Sequence, residues 1–332
     1  MGWTLRRVVS SLLTCALVLS LIGPASAALT DPQRARRAVG FIAPHQDKDG
    51  AFVVFSSIGS TADAVLAFVA AGVGARETRR ALNYLEGQVV AGNVDTEGQQ
   101  AKVVLAWTAA GRGARTLGDR NLVKELRNGY LDWLEHDVYD TALAVLAIHA
   151  AGAVVPSSAI DFLLSQQCGD GGWDFDSTDV DEGPHCVSDP TTDFFPSDTN
   201  TTALVVMALQ AAPTVAGAPV PPGPFDFFDA IRDEKRGGWG YTWGFRKTDA
   251  NSTGLVLQAY AAEGFTAPAG SRKALRQLQY GECGAFAFTF EGDAKGGPDL
   301  GATIGAVPGL LGRAFPYTGA VDAPAPDTPA CA

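Results

Sequence analysis

Asp137 and Asp140 stand three residues apart in the stretch "HDVYDTALAVLAIHAAG", residues 136–152, with Thr141 and Ala142 directly behind them. Carboxylates grouped in this way can deliver a proton to a substrate when one of them is kept protonated in a dry site. The same residues at the head of an alanine-rich apolar run are also a helix start signal. There an aspartate caps exposed backbone N–H groups and meets the positive end of the helix dipole. What the chain places at equivalent positions decides between the two.

The stretch Ala142–Gly152, "ALAVLAIHAAG", has five sister blocks: "ADAVLAFVAAG" from Ala62, "AKVVLAWTAAG" from Ala101, "ALVVMALQAAP" from Ala203, "GLVLQAYAAEG" from Gly254 and "ATIGAVPGLLG" from Ala302. The first five blocks of the chain read as small-residue helices that stop at Gly or Pro. Pro308 is expected to disturb the sixth. Between the blocks lie amphipathic segments such as "RRALNYLEGQ", "SAIDFLLSQQ" and "SRKALRQLQY", apolar near i, i+3, i+4 and i+7. The blocks end at residues 72, 111, 152, 213, 264 and 312, a period that belongs to arrays of helical hairpins. Small residues suit a tightly packed inner layer, and the amphipathic helices suit an outer one. Periodicity alone does not separate an open solenoid from a closed ring.

The turns carry more. "QQCGDGGWDF" (166–175) and "RGGWGYTW" (236–243) each place Gly-Gly-Trp after an outer segment, and "HQDKDGAFVVF" (45–55) and "QYGECGAFAF" (279–288) place Gly-Ala-Phe there. A glycine permits the tight turn, the aromatic staples the helix end, and Gln can tie turn to helix by amide hydrogen bonds. These residues resemble the QW repeats of the terpene cyclase and protein prenyltransferase superfamily over roughly residues 30 to 316. The resemblance implies an all-α fold, an α/α toroid of about six helical hairpins. It leaves function open, because the scaffold carries cyclases, zinc prenyltransferases and non-enzymatic transcobalamin-type carriers.

The opening stretch resembles the Asp-x-Asp-Asp-Thr-Ala motif of class II cyclases, in which the middle aspartate is the acid. Tyr139 stands at that position here, and a phenol with a pKa of about 10 cannot protonate an alkene. Five residues before the first residue of their blocks, Asp137, Asp198 and Asp249 recur, which points to repeated helix caps. Tyr139 corresponds to Asn200 and Asn251, and a loose alignment of the sixth block puts Asp299 at the same register. A cyclase reading therefore offers Asp137, Asp140 and Asp299 as acids. A binding reading offers Tyr139, Asp140, Asn200, Asn251, Tyr241 and Trp243 as cavity wall. The prenyltransferase zinc site, Asp-x-Cys with a later His, has no counterpart in the sequence, and no metal or cofactor is expected.

The 332 residues carry a net charge of −11, with 46% hydrophobic and 18% charged side chains. That balance supports a large core and disfavours nucleic acid and anionic membranes. Arg6 and Arg7, an apolar run from Val8 to Ile22 and "GPASAA" read as a Sec-type signal peptide, residues 1–27. A toroid over residues 28–318 and a Pro/Ala-rich tail over 319–332 follow. Secretion from a bacterium, with no membrane span in the mature chain, is the expectation. Four cysteines would remain after cleavage, and three pairings are possible. Closeness in sequence favours Cys168–Cys186, leaving Cys283–Cys331. The aspartates between Cys168 and Cys186 do not follow an EF-hand order and read as a solvated acidic loop rather than a Ca²⁺ site.

The function expected is an exported, non-catalytic toroid that binds a hydrophobic or bulky ligand (an isoprenoid or a corrinoid) or a cell-surface protein. The alternative is a class II, squalene–hopene-like cyclase with a degenerate acid motif.

Overall fold

The computed structural model describes residues 28–129, 137–176, 186, 197–212 and 223–331. Residues 1–27, for which a signal peptide is expected, and much of the acidic loop, including Asp179, Asp181 and Glu182, lie outside these residues.

Twelve α-helices appear among the described residues: α1 (Asp31–Ile42), α2 (Ser57–Ala71), α3 (Ala75–Val90), α4 (Glu97–Ala109), α5 (Leu122–Gly129), α6 (Val138–Ala150), α7 (Ser157–Ser165), α8 (Thr199–Ala211), α9 (Pro224–Ile231), α10 (Ala250–Ala262), α11 (Ser271–Leu278) and α12 (Leu300–Leu311). Even-numbered helices coincide with the six blocks and form the inner layer. Each packs against the next, and α12 packs back onto α2, so the ring closes. Odd-numbered helices lie outside, each burying one stripe. In α3 that stripe is Thr78, Ala81, Leu82, Leu85 and Val89, the spacing of a single helical face.

The inner helices are buried on nearly every side, as their small residues require. Gly309 shows how close the approach is, since a Cβ there would come within 2.2 Å of the Gly254 carbonyl oxygen. All six start on Ser56, Thr96, Asp137, Asp198, Asp249 or Asp299 as N-cap. Five of them end at a left-handed glycine with φ between 63° and 74°, at Gly72, Gly111, Gly152, Gly264 and Gly312. Pro308 does not end the sixth. α12 runs through it to Leu311, giving up only the hydrogen bond its missing N–H would make.

The Gly-Gly-Trp and Gly-Ala-Phe turns share one construction. Gly50, Gly171, Gly237 and Gly284 all have φ of 83–104°. The backbone N–H of the following aromatic (Phe52, Trp173, Trp239 or Phe286) donates to a threonine on the next inner helix: Thr61, Thr202, Thr253 or Thr303, at 2.8–3.0 Å. Both tryptophans are fully buried and donate their indole N–H to an outer-helix carbonyl, Leu163 or Phe228, at 2.7 Å. Gln46, Gln167 and Gln279 tie their turns through Nε2 to the carbonyls of Gly50, Gly171 and Gly284.

Cys168–Cys186 and Cys283–Cys331 are both bonded, a feature of oxidising compartments. No helix of the described residues is long and apolar enough to cross a membrane. After α12 the chain crosses the end of the ring where the inner helices stop. Tyr317 donates to the Leu66 carbonyl at 2.9 Å, Gly319 to Ala109 at 3.0 Å, and the Ala323 carbonyl accepts from Gly74 and Ala75. Cys331 then fastens this strap to the body.

Candidate functional site

The five threonines at 61, 141, 202, 253 and 303 set a common register for the inner helices, with Gln100 in their place on α4. Two residues before this register stand Gly59, Gly98, Tyr139, Asn200, Asn251 and Gly301. Two after it stand Asp63, Lys102, Leu143, Leu204, Leu255 and Gly305, and five after it Leu66, Leu105, Leu146, Met207, Gln258 and Pro308. Steps of four and three residues keep all these positions on one face of each helix. That face lines a central cavity of about 270 Å³ bounded by residues from all six inner helices. Tyr139, Asn200, Asn251 and Gly301 form its outer layer. The six residues from Asp63 to Gly305 form its middle, and Leu66, Leu105, Gln258 and Pro308 form its floor. Phe315, from the strap, closes the floor and stacks on Tyr317 with ring centroids 5.3 Å apart.

The middle layer carries one ion pair, Lys102 Nζ to Asp63 Oδ2 at 2.8 Å, between α4 and α2. Burial alone would lower the Lys102 pKa, but the Asp63 carboxylate beside it, helped by Tyr139 and Asp140, more than offsets this and raises it. The ammonium is therefore kept. Burial pushes the Tyr139 phenol up, against a smaller opposing effect of Lys102, so this hydroxyl stays protonated. Its ring stacks on Phe175 at 5.2 Å.

Of the acids offered by a cyclase reading, none lines the cavity. Asp137 and Asp299 stand at the N-cap positions of α6 and α12, the first without the side-chain capping hydrogen bond that the repeat register predicts. Asp299 Oδ1 accepts the Ala302 N–H at 2.7 Å. The threonine register places Asp299 with Asp198 and Asp249, and Gly301 with Tyr139. Asp140 points sideways into the seam with α4, where Oδ2 accepts the Gly98 N–H at 3.2 Å. Burial is the main cause of its raised pKa.

Tyr139, Asn200 and Asn251 come together on the wall, whereas Tyr241 and Trp243 belong to the rim. The Tyr241 carbonyl accepts the Thr199 N–H at 2.9 Å, and Trp243 lies in a short 3-10 turn under the Arg246 guanidinium at 5.4 Å. The rim also bears Phe55, 93% exposed, and Phe245, 74% exposed. Asp63, Lys102 and Gln258 were not among the residues sequence reasoning singled out. The signal was present: "ADAVLAF" and "AKVVLAW" place a charge at one position of otherwise apolar inner helices.

No protein-family model and no curated protein sequence matches the chain. Solved structures do match in shape. The GH76A α-1,6-mannanase from Salegentibacter sp. HEL1_6 aligns with a TM-score of 0.56 at 12% identity, over 85% of this chain and 98% of its own. The unsaturated glucuronyl hydrolase from Streptococcus agalactiae gives 0.53 at 8% identity, over 85% and 90%. The type II terpene cyclase MstE from Scytonema gives 0.52 at 14% identity, over 85% and 97%. The fold is an α/α toroid. At these identities the likeness concerns the fold, and the toroid's chemistry has to come from its own cavity wall.

Proposed function

We propose that this toroid is an extracytoplasmic binding protein that holds a small, mainly apolar ligand in its central cavity and does not transform it. The observation that carries this reading is the state of Asp63, the one carboxylate among the described lining residues. It is held by Lys102 at 2.8 Å, as a partner in an ion pair. A glycosidase mechanism would ask for two carboxyl groups facing a sugar, and a cyclase for a protonated acid. The layers instead give a ligand a mainly apolar wall with a few polar groups, Asn200, Asn251 and the Lys102–Asp63 pair above and Gln258 at the floor, the usual composition of small-molecule sites. At about 270 Å³ the space falls just below the ~300–1,000 Å³ typical of ligand pockets. This favours an isoprenoid-sized molecule over a corrinoid. The two disulfides and the signal-like N-terminus support export.

Purified protein should be incubated with geranylgeranyl diphosphate and with squalene, and extracts analysed by mass spectrometry. No product is expected, while small apolar alcohols should raise the melting temperature. Turnover that disappears in Asp63→Asn would replace the binding reading with acid catalysis.

A further inference from the structure

We infer that the ligand is neutral and carries a hydroxyl at its inner end, which Gln258 reads as a hydrogen-bond donor; this rests on the central cavity being the binding site. Gln258 lies at floor level on α10 and is 1% exposed. Its Nε2 is engaged, at 3.4 Å, with the Gly254 carbonyl one turn back on the same helix. Its Oε1 is buried and has no hydrogen-bond partner. A buried amide oxygen left without a donor is costly, and folded proteins seldom tolerate it unless something else supplies the donor.

The neighbours at that depth cannot supply one. Leu66, Leu105, Pro308 and Phe315 present carbon only. Proline has no N–H, and the Phe315 N–H is directed to Met207 Sδ at 3.4 Å. The donor must therefore enter the cavity from outside. A cation is a poor candidate, because the floor holds no carboxylate to offset its desolvation. A hydroxyl on an apolar body meets both demands, and a body of about ten carbons suits the volume.

The test uses geraniol and its methyl ether, which differ in the one donor, against the wild-type protein, Gln258→Leu and Gln258→Met. Binding is followed by titration calorimetry, and melting temperatures confirm that each variant is folded. The wild type should bind the alcohol about tenfold more tightly than the ether, the size expected for one buried polar group left unpaired. In both variants this preference should vanish, with the ether binding at least as well as in the wild type. Equal affinity of the wild type for the two probes, as would follow if a trapped water satisfied Gln258, overturns the inference. Alcohol preference that survives in the variants does the same. If neither probe binds the wild type, the cavity reading itself fails, and this inference falls with it.

Discussion

Asp63 and Lys102 face each other across the seam between α2 and α4, each on a helix whose neighbouring residues are apolar. They are part-exposed to the cavity, so the pair lies between surface and interior in energetic terms. Lys102→Met leaves a carboxylate on the wall without its cation and should cost about 1–2 kcal/mol, above a surface pair and below a buried one. The double variant Lys102→Met/Asp63→Leu should recover most of that loss, which urea denaturation in a double-mutant cycle would measure. A second residue-scale case is Gly98, where an added Cβ would come within 2.3 Å of Asp140 Oδ1. Gly98→Ala should destabilise by about 1–3 kcal/mol through overpacking. Asp140→Ala in the same chain should restore part of it, again read from denaturation midpoints.

At the scale of elements, the inner helices start on caps, and two of these caps are buried carboxyls. Burial pushes Asp198 and Asp249 up to about 7, against the N–H groups of Thr201 and Asn200 on one and Ser252 on the other. A folded-state pKa above the unfolded value of 3.8 means that the fold favours the neutral acid. The associated stability is full below about pH 4 and is lost as pH rises towards 7. Asn keeps a cap acceptor without the charge. Asp198→Asn should therefore weaken the fall in stability between about pH 4 and 7, which melting curves across that range would show.

Much of this element level was legible in the sequence. Six blocks in one register, their Gly stops and the Gly-aromatic turns were readable because inner helices need small residues and tight turns need positive φ. The alignment on alanines, however, set Asp299 beside Tyr139. The hydrogen bonds of Thr303 and Thr253 move it by two residues and make it a cap. That correction depends on contacts between a turn and the helix after it, which spacing does not record. The continuity of α12 through Pro308 was likewise decided by packing rather than propensity.

For the whole molecule, closure of the ring is a contact between α12 and α2, separated by most of the chain and invisible to local pattern. The strap is equally non-local. Its Phe315 seals the cavity floor, and Cys283–Cys331 closes a loop with a sequence separation of 48 residues. Cys331→Ser should lower stability by about 2–4 kcal/mol and loosen the floor. Faster backbone hydrogen exchange at Gly319, whose N–H rests on Ala109, would report this.

The cavity ringed by the inner helices is the proposed seat of the ligand. Leu204 lies in its middle layer, and Leu204→Trp would fill the space from one wall. Calorimetric titration of geraniol into the wild type and into Leu204→Trp tests the claim directly, with melting temperatures confirming that the variant folds. The toroid should bind one equivalent saturably and the filled variant none. Undiminished binding by a folded Leu204→Trp would contradict it.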